Sequence, residues 1–246
     1  MIPDVFSLGN AAWQMTNGER VAYEGTLAFV RPELAVEIGS AMGGSLERTA
    51  AYSGHVHSFD RVEPGPVART LANVTFHTGN SHVLLSPWLE TVVRDGATID
   101  FAHVDGDHTP AGVAQDITDI LRCPAFDGVM VLHDVMNQSV RDGLDLVGFE
   151  RFPDVVYVDY DFVPGHMTRA RDRSYRELWG GIGLVLVDRS HQFRVREKMV
   201  SSGIRQDRFY STHRLLRPLS DASALPFRAR RVAARWKARG RRLLPR

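Results

Sequence analysis

Two short stretches concentrate the groups that could move a proton or hold a cation. Asp105-Gly106-Asp107-His108 sets two carboxylates and an imidazole within four residues, and His133-Asp134 brings a further pair. Carboxylates are hard donors for a divalent ion, and an imidazole titrates nearer neutrality than any other side chain, so the set suits metal binding or general-base work. Asp105, Asp134 and His133 are the candidate metal ligands, and His108 with Asp105 the candidate catalytic pair. The plainer alternative has Asp107 capping the next helix and His133 packed in a sheet. Other residues are better suited to binding than to reacting. In LAVEIGSAMGGS (34–45) an apolar run meets Glu37, Gly39, Gly43 and Ser45 in a small-residue turn. Asp60 follows that turn by about 20 residues, the spacing at which an acid accepts hydrogen bonds from a ribose diol. Asn80-Ser81 reads either as a turn with a helix cap or as a contact to a base.

These residues act together only if the chain folds them to one place. Short apolar or alternating runs predict strands over 34–38, 54–60, 74–77, 99–105 and 129–132. Helical patterns lie between them, over 46–52, one or two turns within 64–71, 81–94 with a break near Ser86 ahead of Pro87, 109–121 and 139–148. A leading helix is expected from Gly18 to Phe29, with Asn17 as its cap. Strands over 155–162 and 183–187 close the pattern, and the polar, arginine-rich connection 163–182 is long enough to be a lid or partner loop. Repeated strand–helix order predicts an α/β, doubly wound, Rossmann-like sheet. Ligands of such sheets bind at the carboxyl ends of the strands. Glu37, Asp60, Asn80 with Ser81, Asp105 with His108, and His133 with Asp134 all fall at such ends. His55, His57, His77, His82 and His103 lack ligand spacing and are expected to be structural.

Composition narrows the classes. The 246 residues are 43% hydrophobic and 24% charged, an ordinary globular profile. The single cysteine, Cys123, excludes an internal disulfide and is expected to be a buried structural thiol. No apolar run approaches a membrane span and the N-terminus lacks a signal pattern, so a cytoplasmic protein is expected. The net charge of +1 hides an asymmetry: from Arg214 onward 11 Lys+Arg face one acid, Asp221, whereas 1–213 carries 19 bases and 28 acids. Three segments are therefore expected: an N-terminal helical piece (1–30), the α/β domain (31–213) and a basic tail (214–246). From Leu225 the tail has helical apolar spacing around Trp236. It reads as a solvated tail, as a contact for an anionic membrane surface, or as a docking element for an acidic partner. No base-reading motif argues for nucleic acid.

With VEIGSAMGGS (36–45), VHSFD (56–60), HTGNSH (77–82), IDFAHVDGDHTPAGVAQDI (99–117) and GVMVLHDV (128–135) in order, the chain resembles the class I S-adenosylmethionine-dependent methyltransferases. It looks closest to their small-molecule and sugar O-methyltransferase branch, with cephalosporin-hydroxylase-like and macrolide-sugar enzymes. The resemblance covers about residues 15–190 and implies a seven-stranded sheet, mostly parallel with an antiparallel last strand. It implies that Glu37, Gly39, Gly43 and Ser45 cradle the methionine part of the cofactor, that Asp60 holds the ribose, and that Asn80-Ser81 lies against adenine. Asp105 would lie beside the transferable methyl. Metal-dependent relatives place an Asp-Asn pair after strand five; here Asp134-Val135 stands there. Either His133, Asp107 or His108 replaces the asparagine for Mg2+, or no metal is used. The expected partner is a small-molecule hydroxyl acceptor, and a homo-oligomer is compatible. Competing expectations are an NAD-dependent oxidoreductase, which the acid on the strand and the lack of GxGxxG disfavour, a hydroxylase-like relative, and a non-catalytic cofactor-binding scaffold docked by its tail.

Overall fold

The computed structural model describes residues 12–169, 176–192 and 199–201. The expected helix of the basic tail, and residues 170–175 of the long connection, lie outside them.

Helix α1 (Asn17–Val30) begins one residue later than its cap. The cap is Thr16, not Asn17. Thr16 Oγ1 accepts from Glu19 N at 3.4 Å while Thr16 N donates to Glu19 Oε2 at 2.5 Å, a reciprocal box that satisfies two otherwise orphaned donors. The chain then alternates through β1 (Leu34–Ile38), α2 (Gly44–Tyr52), β2 (His55–Asp60), β3 (Val74–Thr78), α3 (Ser81–Arg94), β4 (Ile99–Val104), α4 (Pro110–Arg122), β5 (Phe126–His133) and α5 (Gln138–Val147). Next come β6 (Val155–Val163), a hairpin of β7 (His166–Arg169) and β8 (Arg176–Trp179), then β9 (Ile182–Val187) and the short β10 (Met199–Ser201). The main sheet runs β10-β6-β9-β5-β4-β1-β2-β3. β9 is antiparallel to both β5 and β6, and the other pairs are parallel. The expected seven strands are present; β10 adds an eighth at the edge.

Pro87 sits inside α3 without breaking it. The ring removes the hydrogen bond to Val83 C=O, but Val83 is on the exposed side, where water can take that acceptor. Both faces of the sheet are covered, as parallel strands require. Along β1 and β5 the side chains alternate: Ala35, Val129 and Val131 pack with Tyr23, Leu27 and Leu46 of α1 and α2. Val36, Ile38, Met130 and Leu132 pack with Leu85, Ile117 and Leu144 of α3, α4 and α5. Chain direction across the sheet reverses at β1, whose neighbours are β2 and β4. A cleft opens at such a reversal. Among the described residues no helix is long and apolar enough to cross a membrane.

Candidate active site

A cavity of about 620 Å³ lies at the carboxyl ends of β1, β2, β4 and β5, within the range of small-molecule sites. Of the residues singled out in the sequence, Gly39, Ser45, Asp60, Ser81, Asp105, His108, His133 and Asp134 line it. Glu37, Gly43 and Asn80 do not.

The glycine turn has a different rationale from the one its composition suggests. Gly39 has φ +84, and a Cβ there would lie 2.1 Å from Asp105 O, so the glycine lets the β1 and β4 ends close on each other. A Cβ on Gly44 would lie 2.5 Å from Trp13 Cα, so the residues before α1 also rest on this turn. Glu37 is fully buried, and its oxygens accept from Ser45 Oγ (2.6 Å) and Thr49 Oγ1 (2.8 Å). It braces α2 against β1 from behind the cavity wall. Asp60 Oδ2 accepts from Ser40 N (2.9 Å) and Ala41 N (2.8 Å), while Oδ1 accepts from Val62 N (2.9 Å). With four acceptor positions on a carboxylate, Oδ1 keeps one for a hydroxyl of a ligand. Asn80 caps α3 through His82 N at 3.3 Å, and Ser81 Oγ donates to Asp116 Oδ1 at 3.0 Å. Asp107 accepts from Thr109 N at 2.9 Å, but the cap of α4 is Thr109, whose Oγ1 accepts from Gly112 N; Asp107 also lines the cavity.

At the other end the acids and imidazoles meet. His108 Nε2 lies 3.3 Å from Asp105 Oδ1 and 3.4 Å from Asp134 Oδ2. His133 Nδ1 lies 3.2 Å from Asp105 Oδ2 and 3.7 Å from Asp134 Oδ1. Burial works against the Asp105 charge, but the His133 charge and hydrogen bonds from His108 and His133 outweigh it, holding this carboxyl below the usual range. His133 is pushed up to about 9: burial lowers it, and the charges of Asp105, Asp134 and Glu19 more than reverse that. The hydrogen bond to Asp105 raises His108. Burial raises Asp134. Asp134 has φ +55, an uncommon conformation for a side-chain-bearing residue, and its Oδ1 accepts from Gly180 N at 2.6 Å. One ligand atom each from Asp105, His108 and Asp134 can be chosen so that all lie within 4.8 Å of one another. The third member of that group is His108; His133, the expected one, faces Asp105 from the buried side.

Other lining residues were not singled out one by one in the sequence, although those of 163–182 fall in the connection expected to be a lid or partner loop. Trp13 and Met15 come from the segment before α1, and His166, Trp179 and Gly180 from the hairpin and its exit. Buried Glu19 of α1 accepts from Gly181 N and lies 3.8 Å from His133 Nε2, joining the two closing segments to the cluster. Glu19 stands in a T-x-x-E pattern that the expectation of Asn17 as cap passed over, and its reach across the fold has no local signal.

Residues 36–135 match the model of a family described as a methyltransferase domain. No protein of curated function matches the chain. Among solved structures, an O-methyltransferase from Bacillus cereus in complex with SAH is 17% identical, with 73% of this chain and 84% of that one covered and a TM-score of 0.49. The O-methyltransferase TomG from Streptomyces achromogenes, involved in tomaymycin synthesis, is 18% identical over 68% and 78%, with a TM-score of 0.47. The MycE methyltransferase of the mycinamycin pathway, in complex with Mg, SAH and mycinamycin VI, is 15% identical over 74% and 51%, with a TM-score of 0.46. The matched residues 36–135 supply the glycine turn, Asp60, Ser81 and the acid–imidazole cluster, so the similarity to a methyltransferase domain falls on the residues that line the cavity.

Proposed function

We propose that this protein is an S-adenosylmethionine-dependent methyltransferase that acts on a hydroxyl oxygen of a small organic acceptor, of the sugar or secondary-metabolite kind. The observation that carries the reading is that one cavity joins a nucleoside-type end (Asp60, Ser81) to an acid–imidazole end (Asp105, His108, Asp134). The sulfonium carbon is already activated, so the protein has to align an oxygen with it and take that oxygen's proton. As the O–CH3 bond forms, the S–CH3 bond breaks and its electron pair stays on sulfur as a thioether. The acceptor's proton goes to His108, whose raised pKa makes it a stronger base than a free imidazole. Asp105 and Asp134, each within 3.4 Å of His108 Nε2, hold the imidazolium that results. His133 keeps Asp105 ionised from the buried side.

Two carboxylates and one imidazole are also a donor set that fits a divalent cation. Asp105, His108 and Asp134 would hold it, and it would lower the pKa of a bound hydroxyl. The positively inclined His133 beside Asp105 opposes a further positive charge there, and buried Val135 supplies no amide in place of the asparagine of metal-dependent relatives. A ligating His108 takes no proton, so activity in chelator separates the two uses. Full activity in chelator supports the base; its loss, restored by a divalent ion, supports the metal.

Trp13, Met15, His166 and Trp179 also line the cavity, which supports acceptor choice by the N-terminal segment and the hairpin. The basic segment 214–246 carries the charge for contact with an anionic membrane surface, and sedimentation with phosphatidylserine vesicles tests it. For the central reading, calorimetry with S-adenosylhomocysteine and NAD is decisive. Binding of the first alone is expected; binding of NAD alone overturns the reading.

A further inference from the structure

Asp116 is an acid that the transfer chemistry does not use. It lies on α4, is 1% exposed, and sits beneath Gly106, where an added Cβ would come 3.1 Å from its Oδ2. Ser81 Oγ donates to Oδ1 at 3.0 Å, His82 Nε2 is 3.4 Å from the same oxygen, and Oδ2 is buried with no hydrogen-bond partner. Buried acids with an unsatisfied oxygen cost stability and call for another explanation.

We propose that Asp116 is a positioning residue that makes this site select the amino group of adenine, by fixing the hydroxyl hydrogen of Ser81. The proposal rests on the S-adenosylmethionine reading. Burial raises the Asp116 carboxyl to about 6, so near pH 7.5 it is ionised and has no proton to give. The hydrogen between the two side chains is therefore the one that Ser81 owns. A serine hydroxyl has a single hydrogen, so with it committed inward the oxygen offers the cavity only lone pairs. Lone pairs accept from the exocyclic amino group of adenine and repel the carbonyl oxygen of hypoxanthine. Ser81 lines the cavity just after β3, which β1 and β2 separate in the sheet from β4 and the acid–imidazole cluster beyond its end.

The test is calorimetry on the full chain at pH 7.5 with S-adenosylhomocysteine and S-inosylhomocysteine. The wild-type protein is expected to prefer the adenosyl compound by about tenfold or more, the size of one hydrogen bond made or lost in a buried site. In Asp116→Leu, which frees the hydroxyl to turn, and in Ser81→Ala, which removes it, the ratio is expected to fall to within about twofold. A wild-type ratio near one, or a wild-type ratio retained in Asp116→Leu, overturns the proposal. Should Asp116→Leu not fold, Ser81→Ala decides, a collapsed ratio supporting the proposal and an unchanged one overturning it. Absence of any wild-type binding to S-adenosylhomocysteine sinks the cofactor reading as well; binding without discrimination sinks the proposal alone.

Discussion

His108 and Glu37 are both polar residues at strand ends, yet their surroundings assign them opposite kinds of work. His108 is half-exposed, faces two carboxylates and lines the cavity. Replacing it by glutamine removes the proton acceptor, and kcat is expected to fall about 10²- to 10⁴-fold, with KM for S-adenosylmethionine within a few-fold of wild type. Steady-state kinetics check this, and full activity in His108→Gln removes the base from the mechanism. Glu37 is fully buried between two hydroxyl donors. Glu37→Gln turns one acceptor oxygen into a donor facing a hydroxyl, and a loss of about 1–3 kcal/mol is expected in urea unfolding. If the variant is as stable as wild type and loses only cofactor affinity, Glu37 is a ligand after all.

Among the elements, β2 and the edge strand β3 carry a group of histidines that takes no part in the cavity. His57 Nδ1 lies 2.9 Å from His77 Nε2, and both rings pack near Trp88 of α3. Burial, with the charges of His77 and His55, lowers His57 from 6.5 to about 4. A histidine whose folded pKa is depressed contributes stability above its unfolded value and loses it as pH falls toward the folded one. Tm is therefore expected to fall between about pH 6.5 and 4, and less steeply in His57→Phe. Equal slopes in the two melting series would assign the acid sensitivity elsewhere. At the exit of the hairpin, Gly180 has φ +70, and a Cβ would lie 2.5 Å from Glu19 Oε1 and 2.9 Å from His166 Nδ1. Gly180→Ala is expected to cost at least about 1–2 kcal/mol from the backbone alone. It should also lower kcat, because Gly180 N holds Asp134. Chemical denaturation and kinetics on the same preparation test both effects.

On the scale of the molecule, a ligand bound across the strand ends of β1, β2, β4 and β5 is held by one fold. S-adenosylhomocysteine at about 100 times its Kd would stabilise the native state by about 2.7 kcal/mol. For a chain of this size that is a rise in Tm of roughly 5–10 °C. A thermal scan that shows this shift with NAD and not with S-adenosylhomocysteine would contradict the cofactor assignment. By itself the sequence determined the strand–helix alternation and the strand ends that carry Asp60, Ser81, Asp105, His108 and Asp134, because apolar periodicity and turn chemistry are local. It missed Thr16 as the cap of α1 by one residue, since Asn17 is as good a capping type and only geometry separates them. Tertiary structure alone decided that Glu37 faces Ser45 and Thr49, that Gly39 yields to Asp105, and that His108 as well as His133 meets Asp105 and Asp134. It alone brought Glu19 and Trp179 to the cluster and Trp13 to the cavity. Those outcomes depend on which segments approach across the fold, and burial and charge at a strand end are set by neighbours distant in the chain.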